Sequence, residues 1–340
     1  MVKTYSEAGV DIGKEIESID AIVGELKYRR TGFGEVLDIG RHFTGLVDFG
    51  EHALSLCTDG VGTKLIVANA MKKWDTVGID CVALNVNDMI CVGAEPLAFV
   101  DYLAVSKYDT EVVRQIGVGL NRGAELANVN LIGGEFSTVP EIVKDFDLAG
   151  TCMGFVKKDR IIAGGRVRPG DSIIGFRSSG IHSNGLTLAR KVIYSSGLAN
   201  DAELPIGHEK VGDSLLEPST IYVRPVMDLI KEFDVKGMAN ITGGGFRNIA
   251  RMSSDVEFRI GDPFEPQAIF ENIKSLGKID VREMYQTFNM GLGFTAVVSK
   301  DDADSALNFL RGRVEAKVIG SVVEGKGVTI PEKNIHYRKY

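Results

Sequence analysis

Thr58-Asp59-Gly60-Val61-Gly62-Thr63-Lys64 follows directly on the apolar stretch Ala53-Leu54-Ser55-Leu56-Cys57. The apolar stretch reads as a short buried strand. The seven residues after it supply an acid, two glycines, hydroxyls and a lysine before a helical run from Leu65. A buried carboxylate is costly unless something cationic compensates it. The same situation recurs at Asp80, Asn87-Asp88, Asp101 and Gly133-Gly134-Glu135, each bordered by core-type residues. Several such acids converging on one cleft suggest Mg²⁺ and a phosphorylated ligand. The stretch is not a Walker A loop, because the Gly-x-x-x-x-Gly-Lys-Ser/Thr spacing fails. Its backbone N–H groups can still form an anion nest, with Lys64 as a point charge.

Residues 78–96 read as one helix stopped by Gly93 and Pro96. At about 100° per residue, Asp80, Leu84, Asn87 and Cys91 share a face, with Asp88 on its edge. Nearly every other residue there is apolar, so solvent does not explain these polar groups. Asp80 fits either a ligand site or a satisfied core hydrogen bond. Asp88 shares a strand-end pattern with Asp59 and Glu135, and these three are the expected metal ligands.

At 340 residues the chain is long enough for two domains, and 44% hydrophobic with 25% charged residues is an ordinary globular balance. A net charge of −7 with no long basic run argues against a nucleic-acid surface. The amino terminus lacks the apolar core of a signal peptide, and no segment reaches the ~18 apolar residues of a membrane span. A cytoplasmic location is expected. Cys57, Cys81, Cys91 and Cys152 lack metal-type spacing and read as reduced, buried residues.

Strands are expected at 53–57, 97–105, 130–132 and 146–157, and helices at 16–27, 65–72, 76–92 and 110–127. A turn-rich, charged stretch at 164–171 reads as a domain junction, giving domains 1–164 and 165–340. Beyond it, strands are expected at 172–177, 237–241, 256–260, 293–299 and 316–323. Helices should lie at 186–194, 246–252, 266–276 and 301–311, the last capped by Asp301. Mixed elements in both halves give an α/β or α+β class. Ser178-Ser179-Gly180-Ile181-His182-Ser183-Asn184-Gly185 joins a strand to a helix amino end, a natural anion site. A solvated loop histidine is the plain alternative for His182. Thr242-Gly243-Gly244-Gly245 and Thr287-Phe288-Asn289-Met290-Gly291 are similar loops. No nucleophile triad or zinc set shows.

In order along the chain, these motifs resemble the aminoimidazole ribonucleotide synthetase family, also called phosphoribosylformylglycinamidine cyclo-ligase. Tyr5-Ser-Glu-Ala-Gly-Val-Asp-Ile12, Thr58–Lys64, the 78–88 helix, Gly93-Ala-Glu-Pro96, Gly133-Gly-Glu135, Ser178–Gly185, Ile241–Gly245 and Thr287–Gly291 carry the resemblance. It implies a homodimer whose amino-terminal domains share a β-barrel, each carboxy-terminal domain being an α/β sandwich. It also implies ATP-dependent closure of formylglycinamidine ribonucleotide to the imidazole, with Mg²⁺ bound by Asp59, Asp88 and Glu135. Contacts to ATP and its phosphates would come from Gly9, Asp11, Lys27, Gly60, Gly62, Thr63, Lys64, Asp80, Asn87, Gly133 and Gly134. Substrate contacts would come from Ser179, Gly180, His182, Ser183, Asn184, Gly243, Gly244 and Asn289, with His182, Lys64 and Asp88 acting in catalysis. The segment 5–27 is expected to fold over the triphosphate, and the His182 ring to reach the interdomain cleft. Phe136-Ser-Thr-Val-Pro140 stands where the family usually carries a second acid, and the segment between Ile12 and Gly24 is longer than common. A small-molecule kinase of the same superfamily, such as thiamine-monophosphate kinase, is the nearest alternative enzyme. A non-catalytic homologue is less consistent with retention of Asp59, Asp88 and Glu135 together.

Overall fold

Two separate sheets divide the chain, six strands from its first half and seven from its second. In the computed structural model, which describes residues 2–338, α1 (Ile12–Glu25) precedes β1 (Val36–Leu37), β2 (Gly45–Phe49) and β3 (His52–Gly60). Next come α2 (Lys64–Met71), α3 (Val77–Ile90), β4 (Glu95–Val105), α4 (Thr110–Ala127), β5 (Asn130–Thr138) and β6 (Phe146–Lys157). The strand order is β1-β2-β3-β6-β4-β5, antiparallel except for β4–β5, which α4 connects in parallel.

The second half contains β7 (Ser172–Arg177), α5 (Leu186–Ser195), α6 (Val211–Leu216), α7 (Val223–Glu232), β8 (Gly237–Asn240) and β9 (Glu257–Ile260). It continues with α8 (Ala268–Gly277), α9 (Val281–Thr287), β10 (Leu292–Val298), α10 (Ala303–Leu310), β11 (Ala316–Val323), β12 (Gly327–Ile330) and β13 (Ile335–Tyr337). Its sheet is ordered β13-β12-β9-β11-β7-β10-β8. Both β7 and β10 are almost wholly buried and apolar, as strands covered on both faces must be.

Helix α3 organises the first half. Val82, Val86, Met89 and Ile90 are buried, and the helix packs on the inner face of the first sheet and against α4. Its approach to α4 depends on glycine: a Cβ on Gly78 would lie 2.2 Å from the Leu120 nitrogen, and one on Gly119 2.5 Å from the Asp75 carbonyl. Asp109 caps α4 by accepting from the Glu111 and Val112 N–H groups, and Asn128 ends it in the left-handed region.

Several elements differ from the sequence expectations. The strand expected at 130–132 runs on to Thr138, so Gly133, Gly134 and Glu135 lie inside β5 and not at its end. The polar first fifty residues hold β1 and β2, fixed by pairing of β1 to β2 and of β2 to β3 and not by an apolar period. Segment 246–252 is a 3₁₀ helix. Asp302, not Asp301, is the cap residue of α10, and its side chain accepts from the Ser299 hydroxyl. Strands β12 and β13 follow the strand expected to be last. On the face of the first sheet turned away from α3, Leu56, Met153, Val100 and Tyr102 are exposed.

Candidate functional site

Strand register sets the acids. Asp59 on β3 pairs with Gly150 on β6, which pairs with Asp101 on β4, which pairs with Gly134 on β5. Residues in one row share a face, so Asp59 and Asp101 point toward α3. Gly134 leaves room for Asp101, whose Oδ1 would lie 2.4 Å from a Cβ there. Glu135 stands in the next row with Tyr102 and Ala149, on the opposite, exposed face. One step along a strand reverses the face, and this separates Glu135 from Asp59 and Asp88. Among the described residues, no group of three His, Cys, Asp or Glu side chains is placed to hold a metal. The expected three-acid site is therefore not assembled within one chain.

A cleft of about 950 Å³ lies over the remaining two acids. Asp59 and Asp88 border it from the first sheet and α3; Asn184, Thr242, Gly243 and Arg251 border it from the second half. Ile12, Glu15, Ile16, Ile19 and Val23 of α1 form a third wall, and Gly40-Arg41-His42 a fourth. Helix α1 buries none of its own residues, yet the segment before it is anchored: the Tyr5 N–H donates to Glu283 Oε1 at 2.9 Å and Lys191 Nζ to the Ala8 carbonyl at 2.8 Å. The amphipathic helix thus spans the cleft mouth with its aliphatic stripe inward.

The electrostatics of this cleft favour a cation. Loss of water pushes the Asp88 carboxyl up to about 7; a hydrogen bond from Asn240 Nδ2 (2.8 Å) opposes the rise, Asp59 adds to it, and Arg251 opposes it. Asp59 reaches cleft water but is packed by protein on most sides, and this desolvation raises its carboxyl, with the Gly60 N–H opposing and Glu15 adding. Two neighbouring carboxyls both held toward the neutral form gain from any cation that enters.

Other sequence-expected residues are satisfied by protein. Lys64 and Asp80 are fully buried and paired at 2.8 Å. Asn87 donates to the Thr220 carbonyl (2.8 Å) and accepts from the Tyr222 N–H (3.0 Å). Asn289 accepts from Ser178 Oγ and the Gly291 N–H and donates to the Gly180 and Ile181 carbonyls, which braces loop 178–185 from beneath. His182 does not reach the cleft. Its ring is buried at φ +62°, a strained backbone for a non-glycine residue, and Nε2 accepts from the Ser179 and Thr220 N–H groups at 3.4 Å. Burial, with Lys64 nearby, pushes its imidazole down to about 3, so it is neutral and a poor proton carrier near pH 7.

Among the loop residues, Thr63 Oγ1 lies 3.0 Å from Thr187 Oγ1, and Gly60 and Gly62 flank the turn between β3 and α2. Ser179 donates to the Pro218 carbonyl, and with Gly180 it lines a second cavity of about 510 Å³. Ser183 Oγ is 3.4 Å from Ser219 Oγ, and Gly244 opens the 3₁₀ helix after Gly243. Asp11 caps α1 through the Lys14 N–H, Gly9 turns with φ +99°, and Lys27 is exposed beside Glu25. Gly133 and Gly134 belong to β5.

Sequence reasoning missed His42 and Arg251. His42 is buried, neither ring nitrogen has a hydrogen-bond partner among the described residues, and burial with Arg251 nearby pushes the imidazole down to about 4. Arg251 donates to the His42 carbonyl and lies 4.0 Å over the Phe43 ring. The only sequence signal for it was a cation eight residues beyond Gly243, on a short helical stretch following the glycine loop.

Residues 43–156 match the N-terminal domain of the AIR synthase related protein family, and residues 168–332 match its C-terminal domain. This two-domain class is consistent with one sheet in each matched segment. Among curated proteins, the chain is 47% identical to phosphoribosylformylglycinamidine cyclo-ligase of Methanosarcina mazei, over 96% of this chain and 98% of the relative. It is 48% identical to the protein of that name from Methanococcus maripaludis, over 94% and 92%. The chain belongs to the phosphoribosylformylglycinamidine cyclo-ligase family. Solved structures share the fold at lower identity. Hydrogenase maturation protein HypE in complex with ATP superposes with a TM-score of 0.61 at 22% identity, covering 81% of this chain and 78% of that one. AaThiL complexed with AMPPCP and TMP gives 0.63 at 16%, covering 95% and 94%.

Proposed function

We propose that this chain closes formylglycinamidine ribonucleotide to 5-aminoimidazole ribonucleotide, converting ATP to ADP and phosphate. The near full-length identity to curated cyclo-ligases carries this reading. In it, the γ-phosphoryl group moves to the formyl oxygen, and a substrate nitrogen then attacks that carbon and displaces phosphate. The chemistry needs charge neutralisation, exclusion of water and placement more than a protein nucleophile.

The cleft residues suit those needs. Two desolvated carboxyls, Asp59 and Asp88, fit Mg²⁺, which takes one or two carboxylates and completes its shell with water and substrate phosphates. When bound, Mg²⁺ would neutralise charge on the phosphates. Asn240 orients Asp88 through its 2.8 Å hydrogen bond. Asn184, Thr242, Gly243 and Arg251 hold the ligand from the second half, and α1 lies across the cleft mouth. The exposed apolar face carrying Leu56, Met153, Val100 and Tyr102 supports a homodimer, with Glu135 on the joining side. A cytoplasmic location and a domain division at 164/165 complete the reading.

Incubation with ATP, Mg²⁺ and formylglycinamidine ribonucleotide tests it. Equal amounts of free phosphate and aminoimidazole ribonucleotide are expected. A phosphorylated product would instead identify a small-molecule kinase, and no turnover a non-catalytic homologue.

A further inference from the structure

The segment linking α6 to α7, residues 217–222, has no regular structure, yet Ser219 and Tyr222 are buried and Pro218, Thr220 and Ile221 are half-buried. Its polar groups must find partners outside a helix or sheet, and most find them on the first half of the chain. Lys64 Nζ donates to the Glu217 carbonyl at 2.6 Å. Asp80 Oδ1 accepts from both the N–H (2.8 Å) and the hydroxyl (2.6 Å) of Ser219. Asn87 holds Thr220 and Tyr222, as described above.

The other side of the same segment holds loop 178–185. Ser179 Oγ donates to the Pro218 carbonyl at 2.6 Å, the Thr220 N–H donates to His182, and the Ser183 and Ser219 hydroxyls lie 3.4 Å apart. Lys64 opens α2 directly after the turn 61–63 that follows Asp59 and Gly60 of β3, and Asn87 adjoins Asp88 on α3. The segment is therefore the physical link between the acids of the cleft and the loop expected to hold substrate. An ammonium has three protons to donate. Lys64 donates to Asp80 Oδ1 (2.9 Å) and the Glu217 carbonyl (2.6 Å), lies 2.8 Å from Asp80 Oδ2 as an ion pair, and has no side-chain surface exposed, so it is enclosed by protein and turned to the segment instead of to a phosphate.

We propose that Lys64, Asp80 and Ser219 form a positioning bracket, which places loop 178–185 against the Asp59–Asp88 cleft without touching ATP. The proposal rests on the cyclo-ligase reading, so wild-type turnover in the same assay tests that reading separately. A bracket that has lost its grip lets the formyl oxygen be phosphorylated while the attacking nitrogen is misplaced. Water then takes the phosphoryl group and regenerates substrate, so the net reaction is ATP plus water to ADP plus phosphate. The diagnostic readout is the ratio of ADP to imidazole, which a purely stabilising role leaves at one.

Two variants test the bracket. Ser219→Ala keeps the backbone bond to Asp80 and loses the hydroxyl bond. Its kcat for imidazole should fall about 10-fold or more, within the range for remote misplacement, with ADP in excess and Mg²⁺·ATP affinity within about twofold of wild type. Lys64→Met/Asp80→Leu replaces the ion pair with apolar groups, a change that buried pairs often tolerate. If folded, it should retain ATP affinity and lose about 100-fold in imidazole formation. Wild-type kcat with a ratio of one in Ser219→Ala would overturn the bracket. So would a large loss of ATP affinity in the folded double variant, which would put Lys64 on the phosphate. Should the double variant not fold, Ser219→Ala alone decides.

Discussion

Asp80 and Asp88 stand about two turns apart on α3, in the same apolar helix, and have different surroundings. Asp80 is wholly buried and receives a lysine and two donors from Ser219. Asp88 faces a cleft, has one amide partner, and is pushed up to about 7 by lost hydration. A buried acid that the protein neutralises holds the structure together. One left without a full counter-charge is poised for a cation from outside. The two ends of α3 divide these tasks.

Breaking the neutralised end should cost most. Lys64→Met alone leaves Asp80 buried without its cation, and chemical denaturation should register about 3–5 kcal/mol of lost stability. A loss below about 1 kcal/mol would show that Asp80 is compensated in another way. At the other end, Asp88→Asn keeps the shape and removes the charge. Turnover should fall more than about 100-fold, beyond the cost usual for a metal's outer partners, while the fold is kept. Because the folded state raises this carboxyl from 3.8 to about 7, its stabilising contribution is full below 3.8 and is lost as pH rises through 7. The variant should therefore match or exceed wild-type stability at pH 8. Asn240→Ala, which removes only the orienting amide, should cost about 10–100-fold in Mg²⁺-dependent turnover.

Two histidines sharpen the contrast from the acid side. Burial lowers His182 to about 3 and His42 to about 4, against an ordinary imidazole value of about 6.5. Below 6.5 the unfolded chain takes up protons that the folded one refuses, so stability falls with acidification until each folded value is reached. Each group contributes a slope of up to about 1.4 kcal/mol per pH unit. His182→Asn, whose new side chain tolerates positive φ, should flatten the stability curve between pH 6 and 4. An unchanged slope would mean that His182 is solvated. The smallest effect expected is from Asp11→Ala, which removes the α1 cap at about 1 kcal/mol and should appear as faster amide exchange confined to residues 12–16.

Much of this was legible in the sequence, for identifiable reasons. Strand β3 as far as Cys57, helix α3 and loop 178–185 were marked by apolar runs broken by glycine and acid, while the structure carries β3 on through Asp59 to Gly60. The face of Glu135 was not legible. Gly133-Gly134 reads as a strand end, but cross-strand pairing to β4 carries β5 through it to Thr138. Nothing local distinguished Asp80 from Asp88 either, since the Asp80 partners are Lys64, outside the helix and 16 positions away, and Ser219, 139 positions away. His182 was misplaced for a related reason. The loop has the composition of an anion site, but segment 217–222, remote in sequence, turns the ring inward. His42 lies in a polar stretch with no period, and only the folded position of Arg251 gives it meaning.

Titration calorimetry of ATP into Asp88→Asn, with and without Mg²⁺, tests the division of α3 most directly. Wild type should bind ATP at least about 10-fold more tightly when Mg²⁺ is present, and the variant should lose that difference while still binding free ATP. Retention of the full Mg²⁺ dependence in Asp88→Asn would contradict the account.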